Sequence, residues 1–138
     1  MRRVHIRSLS FAVLAGSALL LNGCGASANV IGPENQLEVT NATDQLQFQL
    51  TALDQVTDSR SYDWQNTGAK ATVDVSQEIT GGSALLTIRD ANGAVMYQAD
   101  IADDSDGSTP EGAPGTWQIE IVLTNTTGTF NFRVQKAT

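Results

Sequence analysis

The chain has little of what enzymes most often use for catalysis. It contains one cysteine, Cys24, and one histidine, His5, both near the N-terminus. The rest of the sequence therefore offers no imidazole to a Ser-His-Asp or Cys-His nucleophile, to a histidine-bearing zinc site or to haem. No glycine-rich phosphate loop ending in Lys-Ser or Lys-Thr is present, since Gly81-Gly82 lies between strand-like segments. We expect no enzymatic activity and no cofactor apart from a candidate Ca²⁺ site.

Basic residues are also scarce. Eight Lys and Arg stand against 15 Asp and Glu, which gives the 138 residues a net charge of −7. Three of the eight bases are Arg2, Arg3 and Arg7, so loss of residues 1–23 would leave five bases against 15 acids, a charge of −10. Such a surface repels nucleic acid and anionic headgroups and favours solubility. We expect no nucleic-acid partner.

The N-terminus has the parts of a secretory signal. The arginines precede an apolar run from Leu9 to Leu21, which is shorter than the roughly 20 residues of a membrane-spanning helix. The segment Leu21-Asn22-Gly23-Cys24 then resembles the bacterial lipobox, with leucine three positions before the cysteine and a small residue directly before it. The resemblance implies a lipoprotein signal peptide over 1–23 and acylation of Cys24 by chains such as palmitate. A signal peptide cut elsewhere and an ordinary buried thiol are the alternatives.

Acylation of Cys24 predicts a place for the protein. Each buried CH₂ contributes about 0.8 kcal/mol, so several acyl chains on one residue hold a protein at a membrane. Gly25 replaces the aspartate by which many lipoproteins are retained at the inner membrane, which favours the outer membrane where the host has one and otherwise the cell surface. Residues 24–35 are small and polar, and we interpret them as a lipidated tether.

Residues 36–138 show the period-two alternation of strands and no helix-period apolar pattern. Asn41 to Asp44 and Asp90 to Gly93 carry turn residues, Asp54 to Ser61 is polar like a loop, and Thr80-Gly81-Gly82 is also typical of a turn. Short strands at this spacing predict an all-β fold, a single antiparallel β-sandwich of the jelly-roll type.

The clearest alternation comes last. Large apolar residues occupy every second position from Trp117 to Leu123 and again from Phe130 to Val134, with polar residues between them. Asn125-Thr126-Thr127-Gly128 separates the two runs with turn-forming residues. The pattern predicts a terminal hairpin at the centre of the core, because each large side chain contributes about 1.5–3 kcal/mol on burial.

Two groups of residues are candidates for binding. Asp103, Asp104 and Asp106 lie in an acidic, glycine-containing stretch, and Ca²⁺ prefers several carboxylate and carbonyl oxygens on flexible backbone. The spacing is not that of an EF-hand, and a solvated acidic loop is the alternative. Separately, Tyr62, Trp64 and Trp117 would suit stacking on sugar rings, although their alternating positions, shared with core residues, favour a place in the core.

The C-terminal half also resembles a known family. Asp90-Ala91-Asn92-Gly93, Pro114-Gly115-Thr116-Trp117-Gln118-Ile119 and the final glycine-led strand from Gly128 are similar to the second half of bacterial pre-peptidase C-terminal-type domains. The resemblance covers roughly 90–134. It implies a jelly-roll-like β-sandwich and an accessory role, with carbohydrate, protein or Ca²⁺ as the ligand in different members.

Together these features predict a membrane-anchored extracytoplasmic lipoprotein that works by binding. Its domain is expected to serve as a protein-interaction or envelope-structural module. A carbohydrate-binding module at the cell envelope is the alternative.

Overall fold

The computed structural model describes residues 29–138, so the predicted signal peptide and Cys24 lie outside the described part of the chain. Strands dominate this part, and two short 3₁₀ turns, Pro33–Asn35 and Ile101–Asp103, accompany them. The strands are β1 (Glu38–Ala42), β2 (Gln45–Asn66), β3 (Ala71–Arg89), β4 (Val95–Asp100), β5 (Gly107–Ser108) and β6 (Gly115–Lys136). No helix within 29–138 has the length and apolarity to cross a bilayer.

All described strand pairs are antiparallel and belong to one sheet. Its order is β1-β2-β6-β3-β4, and β5 adds to the start of β3. The last strand, β6, therefore lies at the centre, between β2 and β3. The all-β fold class is confirmed. Thr43-Asp44 joins β1 to β2, and the segment from Asp90 joins β3 to β4, as the turn residues predict.

The three long strands are continuous, but their pairing shifts register near the middle. The pairing of β2 with β6 shifts register between Leu50 and Asp58, and the pairing of β3 with β6 shifts between Ile79 and Ser83. Positive φ angles occur at the same level, on Ala52, Gln55, Gly82, Asn125 and Gly128. Bulges of this kind bend a strand and increase its twist. The bends divide the sheet into two halves.

The two ends of β2 meet after this bend. Its 22 residues would span roughly 73 Å if straight, at about 3.3 Å per residue. Instead, the N–H of Asp44, just before β2, donates to the carbonyl of Gln65 at 2.8 Å. The Trp64 indole N–H donates to the carbonyl of Ala42 at 3.2 Å. The halves thus share one hydrophobic core, while a jelly-roll type of sandwich stays a prediction.

The predicted terminal hairpin is wrong. Its two runs form one continuous strand, β6, and they pair with β2 and β3 instead of with each other. Asn125, with φ 46°, and Gly128, with φ 133°, make a bend where the sequence suggests a reversal. Hairpin turns and bulges both use residues that tolerate positive φ, so the residue types do not separate them. The expected loop over Asp54 to Ser61 and turn at Thr80 to Gly82 are likewise parts of strands.

The inward alternation of β6 is nevertheless as the sequence indicates. Trp117, Ile119 and Phe132 are fully buried, as are their neighbours on the same side of the strand. Phe48 of β2 stacks on Phe132 with ring centroids 5.0 Å apart and lies 5.9 Å from the Phe130 ring. The central strand of the sheet therefore supplies the centre of the core.

The last part of the predicted tether is attached to the sheet. The N–H of Thr57 donates to the carbonyl of Asn29 at 2.8 Å, and the N–H of Ile31 donates to Asp58 at 3.0 Å. Asn35 is buried, and its side-chain amide donates to the carbonyls of Thr51 and Ala52. Residues 29–35 thus follow the bulged segment of β2. A cavity of about 480 Å³ lies between this segment and the bulge.

Asp44 closes the end of the molecule where the strands meet. Its carboxylate accepts from the N–H and hydroxyl of Thr67 and from Lys136 Nζ, all at 2.8–2.9 Å. The Lys136 ammonium and these hydrogen bonds lower the pKa of Asp44 from 3.8 to about 2. Charge-assisted bonds of this kind favour the ionised form.

We expect the fold to lose stability as the pH falls from 3.8 towards 2. In this interval the unfolded chain binds a proton at Asp44 that the folded chain does not, so the free energy of unfolding decreases. Urea unfolding at several pH values measures this decrease, and Asp44→Asn should make it smaller. An unaltered pH dependence in the variant would contradict the assignment.

Candidate binding surface

The aromatic residues proposed for sugar stacking do not form an exposed platform. Trp64 and Trp117 are paired across β2 and β6, both are 0 % exposed, and their rings meet edge to face at 6.0 Å. Each indole N–H is used inside the fold, by Trp64 to Ala42 and by Trp117 to the carbonyl of Ala113 at 2.7 Å. Two buried indoles with satisfied N–H groups cannot reach a ligand, so the structure corrects their assignment to a binding role.

Tyr62 is half-buried and lies over the same core. Its ring is tilted against that of Phe48 at a centroid distance of 6.0 Å, and burial raises the pKa of its phenol. It is the one member of the proposed aromatic trio with exposed surface. A single partly covered ring is a packing element more than a stacking platform.

The three aspartates of the acidic stretch have separate surroundings. Asp103 belongs to the second 3₁₀ turn, and Asp104 ends that turn with φ 58°. Asp106 accepts a hydrogen bond from the N–H of Val75 at 2.6 Å, which attaches the stretch to β3. Within residues 29–138, no three His, Cys, Asp or Glu side chains are grouped closely enough to hold a metal ion. Calcium binding by Asp103, Asp104 and Asp106 stays a prediction.

A different surface brings polar side chains together. This surface lies on the half of the sheet that is built from β1 and the adjoining parts of β2, β6 and β3. One side of this half packs on the core, and amide, hydroxyl and charged groups cover the other side. We call this outer side the amide face. It comprises Glu38, Thr40, Gln45, Gln47, Gln49, Thr72, Asp74, Ser76, Asn131, Arg133 and Gln135.

Strand register arranges these residues in rows across the sheet. One row runs from Thr40 through Gln47 and Arg133 to Asp74, because each is the pairing partner of the next. The next row runs from Glu38 through Gln49 and Asn131 to Ser76 in the same way. Residues two apart on a strand share a side of the sheet. The face is thus continuous across four strands.

Three adjoining depressions lie on this side of the sheet. One, of about 190 Å³, is lined by Gln47, Asp74, Val75, Ser76, Asn131 and Arg133. Another, of about 270 Å³, shares Ser76 and Asn131 with it and is otherwise lined by Gln77, Glu78, Thr129 and Phe130. The smallest, of about 80 Å³, is lined by Glu38, Thr40, Gln47 and Gln49. Because Gln47 lines the first and the smallest, a ligand that lies along one row would contact both of these.

The amide face carries one ion pair. The Arg133 guanidinium donates to the Asp74 carboxylate at 2.8 Å, and both side chains are about half exposed. Gln135 donates to the side-chain oxygen of Gln45 at 3.2 Å, so the amides at one end are also oriented. Glu38 on the edge strand is the other charged member, and the adjoining row adds the exposed Glu78. The face and its border are therefore weakly acidic and have no basic group outside the ion pair.

The outer side of the other half has a different character. Its rows include Asp63, Gln118 and Arg89 in one register and Val122 with Leu85 in another. Leu85 is 37 % exposed, so this side mixes charge with apolar surface. Amides therefore dominate one half of the sheet only.

The sequence alone predicts part of the amide face. Alternation predicts that Gln45, Gln47 and Gln49 point outward, and it predicts the same for Asn131 and Arg133. In the sequence, however, each of these two groups indicates only the solvent-exposed side of a strand. Their proximity depends on the pairing of β2 with β6. The two paired residues nearest in sequence, Asn66 and Gly115, are already 49 positions apart. No local pattern specifies that pairing.

Comparison with models of known protein families and with curated proteins found no match. The resemblance of residues 90–134 to pre-peptidase C-terminal-type domains therefore stays a prediction.

Proposed function

We propose that this chain is a membrane-anchored extracytoplasmic lipoprotein whose all-β domain acts by binding, without catalysis. The observation that carries the proposal is the junction Leu21-Asn22-Gly23-Cys24, where an apolar signal-like run ends at the only cysteine of the sequence. A thiol at that position is the one group to which the lipid can be joined. The outer membrane, or the cell surface of a host without one, is the proposed location.

The attachment of residues 29–35 to the sheet supports a fixed geometry for the anchor. Only residues 25–28 separate Cys24 from Asn29, whose carbonyl accepts from Thr57. Five backbone steps span at most roughly 18 Å at about 3.6 Å each. Asn29, which is hydrogen-bonded to the bulged middle of β2, would therefore lie within that distance of the lipidated residue.

The anchor is tested by replacing Cys24. In a bacterial host fed a clickable fatty acid, the full chain should incorporate the label and sediment with membranes, whereas Cys24→Ala should lose both almost completely. Asn22→Ala is the matched control, because it changes the junction and keeps the thiol. Mass spectrometry of the native protein should find residues 1–23 removed. An unmodified thiol in the native chain would refute the anchor.

Two kinds of partner suit a binding module at the envelope. The sequence favours a protein-interaction or envelope-structural role, with a carbohydrate-binding module as the alternative. One observation favours the alternative: the amide face presents amides and hydroxyls across four strands, together with an Arg–Asp ion pair, and has no exposed large apolar side chain. Uncharged groups that both donate and accept hydrogen bonds suit a ligand rich in hydroxyls.

A further inference from the structure

We propose that the amide face binds a neutral polysaccharide chain lying across β1, β2, β6 and β3. The inference rests on the proposed function, since it names the ligand class for a module at the cell envelope. It is carried by the register that places Gln47, Arg133 and Asp74 in one row and Gln49, Asn131 and Ser76 in the next.

The hydrogen-bonding groups of the amide face match those of a sugar. A carboxamide offers two N–H donors and a carbonyl acceptor, and a sugar hydroxyl both donates and accepts. Gln47 and Asn131 line the same depression, with the Asp74–Arg133 pair beside them. That depression thus supplies amide donors and acceptors together with a guanidinium and a carboxylate. Adjacent hydroxyls of a sugar ring can donate to and accept from such closely spaced donors and acceptors.

The shape of the surface also suits a polymer. Two of the depressions share Gln47, so a chain can pass from one to the other without leaving the face. Neighbouring strands are about 4.8 Å apart, so four of them extend over roughly 14 Å. This length suits a few sugar units of an extended polymer. The backbone beneath is a hydrogen-bonded sheet, so the positions from which these side chains project are fixed before binding.

The charge of the face and of the whole protein disfavours an anionic ligand. The only basic group on the face, Arg133, is already paired with Asp74 at 2.8 Å. The rest of the protein is acidic, with a net charge of −7 for the whole sequence. An anionic polymer would be repelled and would find no free cation on the amide face. A neutral polymer meets no such repulsion, and the amides and hydroxyls of the face are available to it.

The composition of the face also distinguishes a glycan from a protein partner. The centres of protein interfaces are enriched in aromatic residues, Met and Arg, and their energetic hot spots are mostly Trp, Tyr and Arg. The amide face contains one of these, Arg133, and its guanidinium is engaged by Asp74. The aromatic residues nearest in sequence, Phe48 and Phe132, point into the core.

The test is affinity electrophoresis of the full chain in a non-ionic detergent. Native gels contain dextran, mannan or glucomannan as neutral probes, or polygalacturonate as an anionic one. At least one neutral polymer should retard the protein, and polygalacturonate should not. Gln47→Ala combined with Asn131→Ala should weaken the retardation at least fivefold. Gln65→Ala with Gln118→Ala, two exposed amides of the same strands in the other half, should leave it within twofold.

The controls separate this inference from the anchor and from folding. Neither double variant changes the net charge, and both should unfold at the same urea concentration as the parent. Trp emission should stay constant on binding, because Trp64 and Trp117 are buried away from the face. If Cys24 is labelled and the chain sediments with membranes but no neutral polymer retards it, only the glycan inference fails. Retardation without acylation would instead refute only the anchor.

Three further results would overturn the inference. The first is retardation by polygalacturonate alone, and the second is equal retardation of both double variants. The third is a protein that crosslinks to the amide face and no longer does so after the Gln47 and Asn131 substitutions. The expected result remains loss of neutral-polymer binding in the amide-face variant alone.

Discussion

Alanine at Gly128 is expected to destabilise the fold by about 3 kcal/mol or more, or to prevent folding. Gly128 lies at the bend of the central strand with φ 133°, a conformation that other residues rarely adopt. A Cβ there would stand 2.1 Å from the backbone carbonyl oxygen of Glu78 and 2.8 Å from the Cα of Ile79. Glycine-only backbone strain costs about 1–3 kcal/mol, and overpacking adds about 1–3 kcal/mol.

Gly93→Ala provides the matched control for this prediction. Gly93 also has a positive φ, 80°, but nothing lies within 4 Å of the position its Cβ would take. Its replacement should cost only about 1–2 kcal/mol, the strain of a left-handed residue. Urea unfolding followed by far-UV circular dichroism measures both variants. Equal losses would mean that the close approach of β6 to β3 at the bend is unimportant.

Trp117→Ala is expected to cost about 3–5 kcal/mol, the range for removing a large aromatic side chain from a core. Trp117 is fully buried on the central strand, meets Trp64 edge to face, and donates its indole N–H to Ala113 at 2.7 Å. Such a loss is a large part of the 5–15 kcal/mol that stabilises a typical domain. The same urea experiment measures it.

Two variants calibrate the effect of Trp117. Phenylalanine at this position keeps most of the apolar surface and loses the hydrogen bond to Ala113, so its cost should be clearly smaller than that of alanine. Gln118→Ala changes the exposed neighbour on the same strand and should stay within about 0.5 kcal/mol of the parent. If Trp117→Ala were as stable as Gln118→Ala, the residue would not belong to the core.

The burial of individual side chains was predicted correctly where it depends on the strand alone. Period-two alternation correctly separates buried Trp117 and Phe132 from outward Gln118 and Arg133, because side-chain direction follows from the strand itself. The same alternation favours burial of Trp64 and Trp117 and does not by itself exclude a sugar-binding role. Burial depends on what covers the side chain, and the other half of the sheet provides that cover.

The sequence by itself determined the all-β class, the outward direction of the amides and the acidic character of the domain. These follow from residue-by-residue preferences, which act over a few positions. The tertiary structure decided that Asn125 to Gly128 bends a strand instead of reversing it, and that Gln47, Asn131 and Arg133 share one surface. Both outcomes are set by pairing between strands far apart in sequence, which local preferences cannot specify.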